Sequence, residues 1–419
     1  MSTHSATEIL SLVNQSPCQK LLVINQYYAP DVASTGQYAA EICSSLTRQG
    51  FEVHVVTGQP SYTTLAPQAP SFEVLDGVHV HRVSLGRARG RERMQVRLAG
   101  YIRFLWGAWR MARTLVKSER PDGVLTFHNP PFVGIIGAHL ASRYRLRYIY
   151  AMYDIHPDVL IATHWAYLPR PAIWMWEVVN RWIFRQAETI IVLGEGMERT
   201  LVDGKGVPSE KVRVIPNWGR PELEPASRTQ PIRRELGISD EELLLLYAGN
   251  MGIMHPLDPI LDAAALLQGL PVRFLFVGDG AKRQQMTNRV EQEKLSQVSF
   301  LPFQPEDHFV QLLAASDVCF VALEPGLERL AVPSRSYTFL SAARPLITLM
   351  APHADIARLV TEASCGWNVT TGHELADLIR QLLDNPQELV HRGQQGRKVY
   401  QERFRQERVI EEYAKALRG

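Results

Sequence analysis

The chain has 419 residues, and at roughly 150 residues per domain that length allows two or three domains with ample chain to bury a core. Its 46% hydrophobic and 21% charged residues, with 28 Gly and 26 Pro, are ordinary globular usage and exclude a disordered, collagen-like or coiled-coil protein. A formal net charge of +2 is too balanced for the whole chain to bind nucleic acid, so any charged partner meets a local patch.

Residues 1–19 lack the basic start and apolar stretch of a signal peptide. The most apolar window, Ala172–Phe184, is broken by Glu177, Asn180 and Arg181, far short of the ~20 apolar residues of a spanning helix. Cys18, Cys43, Cys319 and Cys365 stand far apart with no C-x-x-C, as for reduced thiols. The expectation is a cytoplasmic protein, at most peripheral to a membrane.

After the polar leader, Leu21-Leu22-Val23-Ile24-Asn25 is a continuous apolar run of buried-strand type. Tyr38, Ile42 and Leu46, with Ala39 and Cys43 beside them, mark one face of a helix that Gly50 ends. Strand-like stretches follow at Glu52–Thr57, Val124–Phe127, Arg147–Met152, Thr189–Leu193 and Val212–Ile215, with helix-length segments between most of them. Such alternation implies parallel strands, because parallel neighbours need a crossover. Residues 219–232 hold three prolines and no apolar period, and read as a linker. Alternation then restarts with Leu243–Ala248, Val272–Val277, Val298–Leu301, Val318–Leu323, Leu346–Met350 and Trp367–Val369. The expected fold is α/β, with two doubly wound, Rossmann-like parallel-sheet domains whose ligands lie at carboxyl strand ends in a cleft between them.

Missing motifs narrow the chemistry. There is no G-x-x-x-x-G-K-[ST], H-E-x-x-H or G-x-S-x-G, and no pair of aspartates two apart to grip a metal–diphosphate. Gly278-Asp279-Gly280 follows a strand, but Arg283 replaces the third glycine of a dinucleotide fingerprint. Three turns instead suit anions. Ser34-Thr35-Gly36 leads into the first helix, whose start offers free N–H groups. Ala248-Gly249-Asn250-Met251-Gly252 puts two glycines directly after a buried strand, where backbone can approach a diphosphate. Pro333-Ser334-Arg335 opens an expected helix through Ala342, with Arg335 as a charge-assisted fork. Plain turns and a surface arginine are the alternative readings.

His128 ends the strand at Val124–Phe127, where it could hydrogen-bond a sugar hydroxyl or a diphosphate, with a satisfied loop histidine as the other reading, and Asp154 and His156 follow the next strand. Ionisable groups gathered at strand ends favour a site. Trp106, Trp109, Trp174 and Trp176 lie in helical stretches and are expected in the core.

Taken in order, Asn25-Gln26-Tyr27-Tyr28-Ala29-Pro30 with Thr35-Gly36, Val214-Ile215-Pro216-Asn217, Tyr247-Ala248-Gly249-Asn250, Phe276-Val277-Gly278-Asp279-Gly280 and Pro333-Ser334-Arg335 resemble glycosyltransferase family 4, of GT-B fold. The likeness runs from about residue 20 to 410 and is strongest to the surface- and exopolysaccharide branch, such as colanic-acid-type transferases. It implies a retaining, metal-independent, hexosyl-type transfer from a UDP- or GDP-sugar to a glycan or polyprenyl-diphosphate-linked acceptor, without cofactor. It further implies an acceptor-side domain over 1–222, a nucleotide-sugar domain over 223–400, and a C-terminal helix over 401–419 for which a crossing back to the first domain is open.

By position, the resemblance assigns Thr35, Gly36, Asn250, Gly252, His255, Gly278, Asp279, Ser334, Arg335 and Thr338 to the donor and His128 and Glu324 to catalysis, and the ionisable cluster after the strand adds Asp154 as a catalytic candidate. This sequence departs from the family at the diphosphate loop, where Asn250 and His255 replace the usual arginine and lysine. That leaves Arg335 as the expected sole cation among the phosphate motifs. The paired glutamates are also changed: a gap-free alignment puts Thr338 at the second and Leu330 at the first, with Glu324 standing in across a longer loop. A sugar-nucleotide epimerase of the same fold and a non-catalytic sugar-nucleotide-binding subunit are the rival readings.

Between residues 81 and 120 stand eleven Lys/Arg against Glu92 and Glu119. At about 100° per residue, Arg103, Trp106, Arg110, Arg113 and Lys117 share a helical arc of roughly 80°, opposite Phe104, Leu105, Met111 and Leu115. Such a face suits an anionic membrane, at about 1 kcal/mol per basic residue, or a lipid diphosphate carrier; a solvated helix face is the other reading.

Overall fold

The fold is described by a computed structural model over residues 19–31, 33–60, 68–84, 94–164, 168–220 and 231–418. Residues 221–230, most of the expected linker, lie outside the described residues, as do Cys18 and Arg87, Arg89, Arg91 and Arg93 of the basic stretch. The chain forms two compact units, one of residues 1–152, 178–191 and 413–419, the other of residues 153–177 and 192–412. The units are therefore discontinuous, whereas composition suggests one break at the linker. Residues 153–177 belong to the second unit, where Asp154 bridges Ala331 and the Ile155 amide donates to Leu330 O at 3.1 Å. The last residues belong to the first unit, where Arg147 Nη1 donates to Leu417 O at 2.7 Å and Arg418 lies 5.4 Å over the Phe51 ring.

The first unit holds β1 (Lys20–Ile24), β2 (Glu52–Gly58), β3 (Phe72–Leu75), β4 (Val78–Val83), β5 (Gly123–Phe127), β6 (Arg147–Met152) and β7 (Thr189–Val192), in the spatial order β3-β4-β2-β1-β5-β6-β7. Pairing from β4 through β6 is parallel. Leu21 to Ile24 are no more than 3% exposed, as parallel strands covered on both faces require. The hairpin β3–β4, which the sequence reading did not identify, turns at Asp76-Gly77 with φ of 49° and 81°. Two positive φ values give a primed two-residue turn that matches strand twist.

The second unit holds β8 (Val212–Val214), β9 (Leu243–Ala248), β10 (Val272–Val277), β11 (Val298–Leu301), β12 (Val318–Ala322), β13 (Leu346–Leu349) and β14 (Gly366–Val369). Six of these form a parallel sheet in the order β11-β10-β9-β12-β13-β14. Leu245, Phe274, Phe276 and Phe320 pack in its core. Arg233 is fully buried there and is balanced by Asp317 Oδ2 at 3.3 Å and Ala315 O at 2.9 Å, so its charge is not left unpaired. In each sheet the chain reverses its direction of winding once, between β1 and β5 and between β9 and β12. Crevices at the carboxyl ends of such switch points are where doubly wound sheets bind ligands.

None of the four tryptophans expected in the core is buried there, and Trp109 and Trp176 are half-buried. Trp106 is 60% exposed and Trp174 67%. The helix Met94–Glu119 instead buries Phe104, Ala108, Ala112 and Leu115, a stripe that leaves Trp106 on the opposite side.

Candidate functional site

In the first unit the ends of β1 and β5 carry Asn25-Gln26 and His128-Asn129. Backbone bonds tie them together: the Gln26 amide donates to Asn129 O at 3.0 Å, and the Gly58 amide and Thr57 Oγ1 both donate to Gln26 O at 3.0 Å. Asn25 is fully buried; its Nδ2 donates to Tyr27 O at 2.7 Å, and among the described residues its Oδ1 has no hydrogen-bond partner. Thr35 and Gly36 lie within the first turn of the helix Ser34–Arg48, not ahead of it. A Cβ at Gly36 would stand 3.0 Å from the Tyr27 carbonyl carbon, so glycine is what lets the helix start press against that loop. The Gly36 amide is bonded to Ala33 O at 2.9 Å, which corrects the expectation that it is free for an anion. Thr35 Oγ1 accepts from Asn129 Nδ2 at 3.4 Å, and His128 is 2% exposed.

In the second unit the loops after β9, β10 and β12 interlock. The Gly249 amide donates to Val277 O at 2.9 Å, Met251 to Asp279 O at 2.8 Å, and Glu324 to Met254 O at 2.8 Å. Gly278 (φ 136°) lies so close to the first loop that a Cβ on it would sit 2.0 Å from Gly249 O. Only glycine combines that φ with that approach. Asp279 Oδ1 accepts from the Gly280 amide at 2.8 Å and holds its own turn. Among the described residues the amides of Asn250 and Gly252 have no backbone acceptor. They remain available to an anion.

His255 is fixed in this loop, its Nδ1 2.9 Å from Ala322 O. Burial holds the imidazole below its usual pKa and the nearby Lys282 charge acts the same way, against the opposing pull of the Ala322 carbonyl. Tyr247 donates to Asn250 O at 2.8 Å; burial pushes its phenol well up, with Arg335 opposing. Arg335 is exposed, 5.3 Å over the Phe309 ring, and its Nε is 3.7 Å from where a Gly249 Cβ would be. The helix it opens, Arg335–Ser341, is shorter than expected: Pro333 precedes it, Ser334 is its N-cap, and Thr338 is buried within it.

Sequence reasoning missed Lys282, and the expectation that Arg335 is the only cation at these motifs is corrected by it. Lys282 Nζ donates to His255 O at 2.7 Å and lies 4.0 Å from Glu324 Oε2, which has no hydrogen-bond partner among the described residues. The available signal was its place two residues beyond Gly278-Asp279-Gly280. The second unit thus gathers Asn250, Gly252, His255, Gly278, Asp279, Glu324 and Arg335, with Ser334 and Thr338 on the adjoining helix. Asp154 belongs to the same unit, half-buried at its bridge to Ala331, while Thr35, Gly36 and His128 form their own group in the first unit.

On the helix Met94–Glu119, Arg103, Trp106, Arg110, Arg113 and Lys117 are all exposed. Leu98 and Ile102 are exposed as well, at 57% and 60%, and continue the row of Trp106 at four-residue spacing. No described helix is long and apolar enough to cross a membrane.

Comparison with known proteins agrees with this architecture. Residues 35–218 match the family described as a glycosyl transferase 4-like domain, and residues 228–399 match glycosyl transferases group 1. The probable glycosyltransferase WbjE of Pseudomonas aeruginosa is 24% identical over 407 residues, 95% of this chain and 98% of its own. The putative colanic acid biosynthesis glycosyl transferase WcaI of Escherichia coli is 23% identical over 356 residues, 81% of this chain and 85% of its own. Among solved structures, sucrose-phosphate synthase of Thermosynechococcus elongatus superposes with a TM-score of 0.76 at 17% identity, over 96% of this chain and 98% of that one. Anabaena HepE, solved with UDP, gives 0.70 at 17% identity, over 95% and 99%. With both halves matched by glycosyltransferase families and two parallel α/β units of GT-B type, the chain belongs to glycosyltransferase family 4, in the branch of its exopolysaccharide-type relatives.

Proposed function

We propose that the second unit binds a UDP- or GDP-sugar and that the protein transfers its hexose, with retention and without a metal ion, to a glycan or polyprenyl-diphosphate-linked acceptor in surface polysaccharide assembly. The observation that carries this reading is the interlocked pair of glycine loops after β9 and β10, with two open amides and Arg335 beside them. The colanic acid biosynthesis in the name of WcaI supports the polysaccharide setting, and HepE, solved with UDP and glucose, supports a UDP-sugar donor. Retention rests on the family resemblance.

The transfer requires the departing nucleotide diphosphate to be stabilised while positive charge builds at the anomeric carbon. Donors already fixed in place are the strongest means available, because they do not reorganise during the reaction. The Asn250 and Gly252 amides and the Arg335 guanidinium take that role. Glu324, whose Oε2 has no hydrogen-bond partner among the described residues, is assigned to the transferred sugar. The first unit supplies the acceptor side, with His128 assigned to the transferred sugar. The test is transfer of labelled sugar from a panel of UDP- and GDP-sugars to lipid-linked acceptors in excess chelator. Turnover that survives the chelator supports the mechanism, and a loss restored by Mg²⁺ contradicts it.

The helix Met94–Glu119 is assigned to an anionic membrane that presents the lipid-linked acceptor. Its exposed Leu98, Ile102 and Trp106 suit the headgroup boundary, and Arg103, Arg110, Arg113 and Lys117 suit anionic headgroups. Sedimentation with anionic vesicles is expected at low salt and to weaken at high salt. Equal recovery with neutral vesicles would leave the face as solvated charge.

A further inference from the structure

The diphosphate loop of the second unit carries no cation of its own. Asn250 has a neutral amide, and His255, part-buried with Nδ1 committed to Ala322 O at 2.9 Å, is held toward the neutral form. A diphosphate carries more negative charge than the open amides and the single Arg335 guanidinium beside Gly249 balance, and lone lysines serve as point charges for phosphates elsewhere. One ammonium does reach this loop, from a different strand. Lys282 follows β10 by five residues, its amide donates to Met251 O at 2.9 Å, and its Nζ donates to His255 O at 2.7 Å.

Resting on the donor-site reading above, we propose that Lys282 supplies the cation for the diphosphate of the bound nucleotide, in place of a basic residue in the Gly249–His255 loop itself. Two features fit this role. The His255 carbonyl uses one of the three ammonium protons and anchors the side chain, while the other two remain for phosphate oxygens. The 4.0 Å separation from Glu324 Oε2 is longer than a hydrogen bond, so the carboxylate orients the ammonium without capturing it. Lysine and glutamate thus lie side by side at the junction between diphosphate and sugar. The lysine serves the leaving group and the carboxylate lies toward the transferred group.

The alternative is that Lys282 merely clips the His255 carbonyl in place, and Lys282→Gln separates the two. Glutamine retains an N–H donor for His255 O but removes the charge. Calorimetric titration of the full chain with UDP, GDP and ADP first identifies a nucleoside diphosphate that binds wild type. For that nucleotide, both K282Q and K282A are expected to weaken affinity by at least about tenfold. Affinity for the matching nucleoside monophosphate is expected to fall less, K282R to bind nearly as wild type, and the salt dependence of diphosphate binding to flatten in K282Q. Wild-type affinity in K282Q, or equal losses for the mono- and diphosphate, would overturn the charge role. Wild type that binds none of the three diphosphates would contradict the donor-site reading itself, a result distinct from failure of the lysine's role alone.

Discussion

His81 on β4 lies among other imidazoles: its Nε2 is 3.3 Å from His54 Nδ1, and His79 stacks on His54 at 4.7 Å. Burial, then the charges of His54 and His79, push its pKa from 6.5 to about 4, with Glu119 opposing. The unfolded chain therefore binds a proton near pH 6.5 that the folded chain refuses until about pH 4. Stability is expected to be full above pH 6.5 and to fall as the pH drops through that window. Thermal melts of wild type and His81→Gln across it are expected to show a shallower pH slope in the variant; identical slopes would contradict this. At the donor site, Arg335→Ala is expected to weaken nucleoside diphosphate binding by about 2 kcal/mol, as for loss of a charged contact. Unchanged affinity would remove Arg335 from the site. The place of Arg335 at a helix start was legible in the sequence, because Pro333-Ser334 announces one. Lys282 was missed although it stands two residues beyond Gly278-Asp279-Gly280, because its bond to His255 O joins loops 27 residues apart in the chain.

Elements with a strong local signal were legible nearly to the residue. Leu243–Ala248, Val272–Val277 and Val298–Leu301 are strands as expected, since continuous apolar runs between polar turns leave little alternative. The β3–β4 hairpin escaped notice because one side of it is exposed: Phe72 and Val74 are each more than half exposed, so the run carries no continuous apolar signature. Asp76-Gly77 was the available signal. The first helix begins earlier than its turn residues suggest, at Ser34, with Ala33 as a cap that makes no side-chain bond. The loops after β9 and β10 act as one element, and Gly278 is where they meet. Gly278→Ala places a methyl within 2.0 Å of Gly249 O at φ 136°, and is expected to cost about 3 kcal/mol of stability and to abolish nucleotide binding. A variant with wild-type melting temperature and affinity would show that the two loops do not depend on that contact.

At the scale of the molecule, alternation of strands and helices was enough to indicate two doubly wound units; the return of the C-terminal helix to the first was left open, and the transfer of residues 153–177 to the second was not foreseen. Residues 153–177 and 413–419 lie with the unit on the far side of the sequence break, an outcome of long-range contacts such as Arg147 to Leu417. The two switch points, at β1/β5 and β9/β12, put the matched motifs of each unit at carboxyl strand ends. The central claim is that the second of these groups binds a nucleotide diphosphate. Thermal-shift titration of the full chain with UDP, GDP, ADP and their common sugars tests it most directly. One nucleoside diphosphate and its sugar are expected to raise the melting temperature in a saturable way, corresponding to about 2.7 kcal/mol at a hundredfold excess over Kd. A melting temperature that stays flat with every nucleotide would contradict the account.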